Sequence, residues 1–290
     1  MSVSTTFGIL MYKTISKKNY FNIIKHKFLS KYNKVSKEEY FFTFLNKKII
    51  FDNQHLANKN LIQWCLNKNY FKKKSSLSTE IFYEKNEMRG FEKLISDSNY
   101  FIDAGAQTGI YSLAAYQAKN IKKIVSIDIT KEYIDAIRKN IKANNFKSKK
   151  FELLNTGIGS GKISHKEWIS KTITTGSSFE DILKVTGIKL SENDCMKIDI
   201  EGWELFIASE LGDFFKINKP NLLLSFHKAE IEELSNNKIS ENDIFDFLSV
   251  YYKHKYITDE KLILKEIKSL KEHNLENEKY KTIFFSNKHF

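Results

Sequence analysis

The stretch Asn99-Tyr-Phe-Ile-Asp-Ala-Gly-Ala-Gln-Thr-Gly109, followed by Ile110-Tyr-Ser-Leu-Ala-Ala115, decides the fold of this chain. An apolar, β-prone run ends in a carboxylate, two glycines follow, and a helix-forming run begins directly after the second glycine. Glycines let the backbone turn sharply and let a ligand approach it, and the first amides of a helix lack partners within the helix. The stretch therefore predicts the nucleotide-binding corner of an α/β domain.

The spacing of the glycines indicates which ligand fits this corner. Dinucleotide sites use Gly-x-Gly-x-x-Gly, whose second glycine lets the pyrophosphate contact the backbone. Here Gln107 stands at that second position, and Asp103 would face a phosphate with a like charge. A ligand that carries an ammonium and a sulfonium group fits better, because the carboxylate attracts it. A tight strand-to-helix turn in another kind of α/β protein is the alternative.

A second carboxylate ends the next predicted strand, residues 123–128. Asp128 lies 25 residues after Asp103, close to the spacing at which Rossmann-type sites place the acid that binds ribose. We expect Asp128 to bind ribose hydroxyls, and the alternative is a capping role for the next helix, residues 131–144. Asn155, at the end of the predicted strand 151–155, is expected to contribute to the same cofactor site.

A third motif lies far downstream, where Lys197, Asp199 and Glu201 alternate with isoleucines. Alternation with a period of two places the three charges on one side of a strand. Burying three charges within a central parallel strand would be costly. We therefore expect them where the strand emerges at the carboxyl edge of the sheet, the edge at which open α/β folds bind ligands.

Three residues near this edge are candidates for a general base that takes a proton from an acceptor hydroxyl. Asp199 is favoured as the base or as the residue that positions the acceptor. Glu201 is second, with capping or an ion pair with Lys197 as its alternative. His227, after the apolar strand 221–227, is third, with simple hydrogen bonding as its alternative. These residues could also bind a divalent ion, but they show no recognisable ligand spacing, so no metal is predicted.

Together these motifs resemble those of the FkbM family of S-adenosylmethionine-dependent methyltransferases, over about residues 80–227. The early motif, Asp103-x-Gly-Ala-x-x-Gly109, resembles motif I of class I methyltransferases, and Lys197-Ile-Asp-Ile-Glu-Gly-Trp-Glu204 is the specific part. The resemblance implies a class I, Rossmann-like doubly wound sheet of about seven strands with the last strand antiparallel. It also implies S-adenosylmethionine as the cofactor, bound by Asp103, Gly105, Gln107, Thr108, Gly109, Asp128 and Asn155.

The resemblance implies methyl transfer, and the residues favour a hydroxyl of a sugar, glycan or small metabolite as the acceptor. Amino methylation of bases usually uses a Pro-Pro element, and this chain has only Pro220. Cytosine carbon methylation usually uses a Pro-Cys nucleophile, and neither Cys65 nor Cys195 follows a proline. Ser225 stands where the family often has an acid, so the acceptor is left open. The alternatives are a non-catalytic methyltransferase-like adaptor for an anionic polymer and a nucleic-acid methyltransferase.

The formal charge of +12 is consistent with a nucleic-acid partner, but its composition argues against one. Only Arg89 and Arg138 are arginines, and abundant Lys, Asn and Ile with a single proline are typical of AT-rich coding sequences. Specific readers of phosphates and bases favour the bidentate fork of arginine. We therefore expect a small-molecule or glycan acceptor and no specific nucleic-acid partner. Contact of the basic N-terminal third with an anionic surface is the alternative.

The length of 290 residues allows one large domain with an extension. We predict a methyltransferase domain over residues 79–290 and an accessory region of hairpin and helices over residues 1–78, with Asn46-Lys47 as the hairpin turn. Residues 79–95 read as a helix capped by Thr79, and Ser177 with Glu180 reads as a capping box.

The chain shows no signal peptide and no run long enough to span a membrane, so a cytoplasmic location is expected. Cys65 and Cys195 are isolated, so neither a disulfide nor a zinc site is indicated. Nothing in the sequence indicates the oligomeric state.

Overall fold

The computed structural model describes residues 38–75, 77–159, 162–166, 171–259 and 261–290. Its strands are β1 (Glu39–Phe44), β2 (Lys47–Ile50), β3 (Phe71–Ser75), β4 (Ser78–Ile81), β5 (Tyr100–Ala104), β6 (Lys123–Ile127), β7 (Phe151–Leu154), β8 (Lys162–Lys166), β9 (Lys171–Thr175), β10 (Cys195–Ile198), β11 (Asn221–His227), β12 (His254–Thr258), β13 (Leu264–Glu266) and β14 (Tyr280–Ser286). Its α-helices are α1 (Leu56–Asn67), α2 (Lys85–Ile95), α3 (Ile110–Ala115), α4 (Lys131–Ala143), α5 (Phe179–Thr186), α6 (Ile207–Ile217), α7 (Lys228–Leu234) and α8 (Glu241–Ser249).

The central sheet has eight strands in the order β13-β12-β14-β11-β10-β5-β6-β7. Strands β5, β6, β7, β10 and β11 pair in parallel, and β14 is antiparallel to both of its neighbours. The doubly wound α/β architecture with an antiparallel last strand is therefore confirmed. The short strand β13, at the edge beyond β12, is an eighth strand where about seven were predicted.

Apolar side chains cover both faces of this sheet, as expected when helices pack on either side of parallel strands. On one face, Phe101, Ile124 and Phe284 pack against α2, α3 and α4. On the other face, Ile102 and Leu224 pack against α5, α6 and α8. The two layers of helices leave the carboxyl ends of the parallel strands as the open edge, where the predicted site residues lie.

A second, four-stranded sheet occupies the N-terminal part of the described chain, in the order β2-β1-β4-β3. The β1–β2 hairpin is present, but its two-residue turn is Leu45-Asn46, since Phe44 pairs with Lys47. Both turn residues have positive φ, of 48° and 59°, as a turn that matches the twist of a hairpin requires. The predicted turn at Asn46-Lys47 is therefore wrong by one residue.

The predicted helix over residues 79–95 is wrong in its first part. Residues Ser78–Ile81 form β4, which pairs in parallel with β1 and antiparallel with β3. Here Thr79 and Ile81 are buried in the sheet, and the available edge of β1 outweighs the local helical pattern. The helix α2 begins only at Lys85, after a left-handed residue at Glu84.

The small sheet shares a core with the main sheet. Tyr40, Phe42 and Phe44 are buried together with residues of α2 and α3, and the rings of Phe44 and Phe91 are 5.7 Å apart. The small sheet continues to Ile81, across the boundary at residue 78 that the sequence suggests. The division into two domains stays a prediction, and residues 1–37 of the accessory region lie outside the described residues.

The start of α5 differs from the sequence prediction. The N-cap of α5 is Ser178, whose hydroxyl accepts from the Asp181 amide, so the capping box predicted from Ser177 and Glu180 is wrong. Residues Trp203–Phe206 form a 3₁₀ turn, and α6 follows it and continues to Ile217. Among the described residues, no helix is long and apolar enough to cross a membrane.

Candidate active site

The glycine corner follows β5 as predicted and has an unusual backbone. Gly105 and Gly109 have φ angles of +76° and +83°. A Cβ atom at Gly105 would lie 1.7 Å from the carbonyl oxygen of Asp199, so the corner and the loop after β10 touch. Between the glycines, Gln107 also has positive φ, of 48°. Such conformations are sparsely populated and cluster at functional sites, where the surroundings hold them in place.

Asp128 joins the glycine corner to the next loop. Its Oδ2 accepts from the Gln107 amide at 2.8 Å, and its Oδ1 accepts from the Thr130 amide at 2.8 Å. The side chain of Asn155 donates to the carbonyl of Asp128 at 3.0 Å. The structure thus brings together three of the residues predicted to bind the cofactor, Gln107, Asp128 and Asn155, at the ends of three adjacent strands.

Two polar atoms beneath the corner lack a hydrogen-bond partner in the described part of the chain. Asp103 is fully buried, and its Oδ2 accepts from the Ser112 hydroxyl at 2.6 Å, whereas its Oδ1 has no donor. The hydroxyl of Thr108 is also buried and unpartnered. Burial raises the pKa of Asp103, although Lys197 and Ser112 act in the opposite direction. Buried polar atoms normally have partners, and two of the seven exceptions among the described residues lie at this turn, which makes the turn a candidate ligand site.

Lys197 is the central cation of the site. Its Nζ lies 3.0 Å from Asp199 Oδ2 and 3.9 Å from Asp103 Oδ1, and it donates to the carbonyl of Gly105 at 3.4 Å. The ammonium also lies 5.0 Å from the centre of the Tyr111 ring. Burial alone would lower the pKa of Lys197, but the neighbouring carboxylates outweigh burial and raise it. Lys197 is therefore a buried, permanently charged ammonium that joins β5 to β10.

Asp199, His227 and Glu204 form a second chain of charges. His227 Nε2 lies 3.4 Å from Asp199 Oδ1, and Nδ1 lies 3.1 Å from Glu204 Oε1. Burial of the imidazole alone would lower its pKa, but Glu204 and Asp199 outweigh burial and raise that pKa to about 9. Burial would also raise the pKa of Asp199, yet Lys197 and His227 hold it below its usual value. At neutral pH the structure thus holds an imidazolium beside a carboxylate.

Glu204 is the last residue of the later motif, but it was not assigned a role. It is fully buried and accepts from the amides of Ile200 and Gly202, at 2.9 Å and 2.7 Å. Its carboxylate therefore shapes the loop after β10 and orients the imidazole of His227. Its place in the motif that begins at Lys197 was the sequence signal that could have identified Glu204 as a site residue.

Glu84 is a site residue that the sequence analysis missed. The Tyr111 hydroxyl donates to its Oε2 at 2.7 Å, and its φ is 45°. Burial and the charge of Asp199 raise the pKa of Glu84 to about 7, against the opposing charge of Lys197. Because residues 79–95 read as one amphipathic helix, no local pattern distinguishes Glu84.

Glu201 does not share the side of the strand with Lys197 and Asp199. Strand β10 ends at Ile198, and Glu201 lies in the following turn with a φ of 50° and an exposed side chain. The strand alternation thus stops before Glu201, and the ion-pair partners of Lys197 are Asp199 and Asp103. Within the described ranges, no group of three His, Cys, Asp or Glu side chains is placed to hold a metal ion.

An apolar groove lies beside the loop that follows β10. Trp203 and Phe206 stack in one wall, with ring centres 4.8 Å apart, and Ile158, Ile198 and Ile200 are among the other lining residues. Ile198 and Ile200 flank Asp199, so the groove and the charged cluster share one loop.

Comparisons with known proteins give only weak likenesses. No protein-family model matches this sequence, and no curated protein matches it. Among solved structures, the chain is similar to methyltransferase FkbM from Methylobacillus flagellatus KT, at 18% identity over 65% of this chain and 44% of that chain, with a TM-score of 0.40. This chain thus spans less than half of that protein.

Two further solved structures resemble this chain at a similar level. An O-methyltransferase from Bacillus cereus in complex with SAH is 11% identical over 79% of this chain and 90% of that chain, with a TM-score of 0.39. An rRNA methylase from Streptococcus thermophilus is 8% identical over 69% and 94%, with a TM-score of 0.39. Function is therefore inferred from the site itself.

Proposed function

We propose that this protein is an S-adenosylmethionine-dependent methyltransferase of the FkbM family that methylates a hydroxyl of a sugar, glycan or small metabolite. The observation that carries the proposal is the buried, half-satisfied carboxylate of Asp103 beneath a left-handed glycine turn. Lys197 Nζ lies 3.9 Å from Asp103 Oδ1, too far to donate a hydrogen bond to it, so this oxygen favours a ligand that brings a donor or a further positive charge. The pyrophosphate of a dinucleotide would bring neither.

The charges around the corner support the same conclusion. Five carboxylates contribute to the cluster and its neighbouring loops, against the two cations Lys197 and His227: Glu84, Asp103, Asp128, Asp199 and Glu204. This excess of negative charge fits a cofactor with a sulfonium and an ammonium. We infer that Asp128 and Asn155 hold the ribose side of the cofactor and that Asp103 favours its ammonium.

When bound, the cofactor would supply an electrophilic methyl group whose leaving group is a neutral thioether, S-adenosylhomocysteine. The contribution of the chain is position, charge and proton acceptance. We infer that Asp199, held as an anion by Lys197 and His227, accepts the hydrogen bond of the acceptor hydroxyl and orients it. Protonated His227 cannot take that proton at neutral pH, so it serves to hold Asp199. Glu84, with a pKa of about 7, is a second candidate for the base.

Calorimetric titration tests the cofactor assignment. S-adenosylmethionine and S-adenosylhomocysteine should bind saturably, and Asp128→Ala should weaken binding by about 1.5 to 3 kcal/mol because a charge-assisted contact and the anchor of Gln107 are lost. The exposed Asp213, on α6, provides a control as Asp213→Asn, which should bind normally. Tight binding of NADH without any response to the sulfonium ligand would contradict the assignment.

Turnover tests the role of Asp199. With a panel of sugar and small hydroxyl acceptors, Asp199→Asn should lower the release of S-adenosylhomocysteine by about 10²-fold or more, since a general base typically contributes 10² to 10⁴. Cofactor affinity should change little, because Asp199 is proposed to act on the acceptor. Unimpaired turnover in this variant would transfer the role to Glu84 or Glu201, and turnover only with amines would exclude O-methylation.

A further inference from the structure

A buried amide network connects the N-terminal region to the glycine corner. Asn140, near the end of α4, is fully buried. Its Oδ1 accepts from the Asp52 amide at 2.8 Å and from the Asn58 side chain at 2.7 Å. Its Nδ2 donates to Asn58 Oδ1 and to the carbonyl of Thr108, both at 3.0 Å. All four hydrogen bonds that an amide side chain can make are thus formed.

The carbonyl that Asn140 binds belongs to the most constrained part of the cofactor corner. Thr108 lies between Gln107 and Gly109, which have φ angles of 48° and +83°. Residues in such conformations persist only where the surroundings over-determine them. Asp128 holds this segment from one side through the Gln107 amide. Asn140 holds it from the other side through the Thr108 carbonyl, so the two side chains clamp consecutive residues.

Helix α4, which carries Asn140, packs closely against the glycine turn. Helix α4 approaches the turn so closely that a Cβ at Gly109 would lie 2.8 Å from Ile137. Asn58 lies on α1 and also donates to the carbonyl of Asp52 at 2.8 Å, so hydrogen bonds connect helix α1 and the end of the β1–β2 hairpin to the Thr108 carbonyl through Asn140. We propose that Asn140 is a positioning residue of the cofactor loop and that residues 52–58 act on the loop through it. That this loop binds S-adenosylmethionine rests on the proposed function.

Asn144 offers a matched control one helical turn further on. Its Oδ1 accepts from the Ile50 amide and its Nδ2 donates to the Ile50 carbonyl, both at 2.7 Å. It therefore ties the same hairpin to the same helix without contacting the glycine corner. Asn140→Ala removes a buried amide side chain from α4, and Asn144→Ala removes a partly buried one from the C-cap of the same helix.

The experiment measures three quantities on the full chain with each variant: the thermal midpoint, the amide hydrogen exchange of residues 105–109, and the affinity for S-adenosylhomocysteine. Both variants should lower the midpoint. Only Asn140→Ala should speed exchange in the loop and weaken binding by at least about tenfold, the factor expected when a buried group loses its hydrogen-bond partner. Asn58→Ala, which leaves the Asn140–Thr108 bond in place, should produce the same changes at smaller size.

Equal effects of Asn140→Ala and Asn144→Ala on loop exchange and affinity would overturn the proposal. If Asn140→Ala does not fold, Asn58→Ala decides, since loop exchange no faster than in Asn144→Ala would overturn it equally. If the wild-type protein does not bind S-adenosylhomocysteine, the proposed function fails, whereas the exchange measurement without ligand still tests the clamp.

Discussion

At the scale of single residues, His227 links stability to pH. Its pKa in the folded protein is about 9, above the value of about 6.5 expected in the unfolded chain. Protonated His227 therefore stabilises the folded protein by on the order of 3 kcal/mol. This stabilisation is fully present below about pH 6.5 and is lost as the pH rises through 9. Chemical denaturation at several pH values should show the free energy of unfolding falling across this window.

His227→Gln should flatten that fall, because the variant has no proton to lose. His254 provides the control, since it pairs with Glu266 at 2.7 Å at the edge of the sheet, away from the buried cluster. His254→Gln should keep the wild-type slope between pH 6.5 and 9. A slope that survives in His227→Gln would show that the imidazole is not held by Asp199 and Glu204.

The ionised side chain of Glu84 is expected to lower the free energy of unfolding, because it is buried next to Asp199. Because its pKa is raised from about 4.5 to about 7, the folded state holds this proton more tightly than the unfolded chain. The free energy of unfolding therefore falls as the pH rises from about 4.5 to 7, and this loss is constant above pH 7. Glu84→Gln should raise the thermal midpoint at pH 8 relative to wild type, and the difference should vanish near pH 4.5. A lower midpoint at pH 8 would contradict this account.

At the scale of elements, the start of α5 depends on one hydroxyl. Ser178 accepts from the Asp181 amide at 3.1 Å, so Ser178→Ala should lower the free energy of unfolding by about 1 kcal/mol. Ser177 is the control, because its hydroxyl contacts Thr156 and does not cap the helix. Denaturant titration should show the smaller effect for Ser177→Ala. A larger loss of stability in Ser177→Ala than in Ser178→Ala would instead support the capping box predicted from Ser177 and Glu180.

The parallel strands and the corner were predictable because their signals are local. Apolar runs that end in an acid identify β5 and β6, and the glycines identify the turn between β5 and α3. Strand β4 was not predictable, since residues 78–81 acquire their partner from β1, far away in sequence. For the same reason Glu84 was missed: only the fold brings it to Tyr111, 27 residues later.

At the scale of the whole molecule, the lysines of the small sheet and the acidic site lie on different sheets of the described chain. The chain carries +12, but the lysines of the small sheet pair with its glutamates, as in Lys73 with Glu38 and Lys74 with Glu80. Nucleic acid should therefore bind weakly, with an affinity that collapses as salt rises, because each neutralised phosphate contributes about −0.9 to the logarithmic slope. Fluorescence titration at about 0.15 M salt should show no selective complex.

A sub-micromolar, sequence-selective complex at that salt concentration would instead favour nucleic-acid modification. Substituting Lys72 and Lys74, on the exposed strand β3, with glutamine would then show whether the small sheet contacts the polymer. These substitutions should leave the affinity for S-adenosylhomocysteine unchanged, because Lys72 and Lys74 lie on the small sheet and the candidate cofactor site lies at the edge of the central sheet.

The contact at Gly105 limits which sequences this fold can accept. With the Asp199 carbonyl 1.7 Å from the place of a Cβ, even alanine would force the β5 and β10 loops apart. A library with all twenty residues at position 105, selected for folded and ligand-binding protein, should return glycine alone. The separation between the cofactor loop and the loop of Asp199 is therefore fixed by backbone against backbone. Substitution of the surrounding side chains can therefore change the chemistry of the site while the spacing of these two loops stays the same.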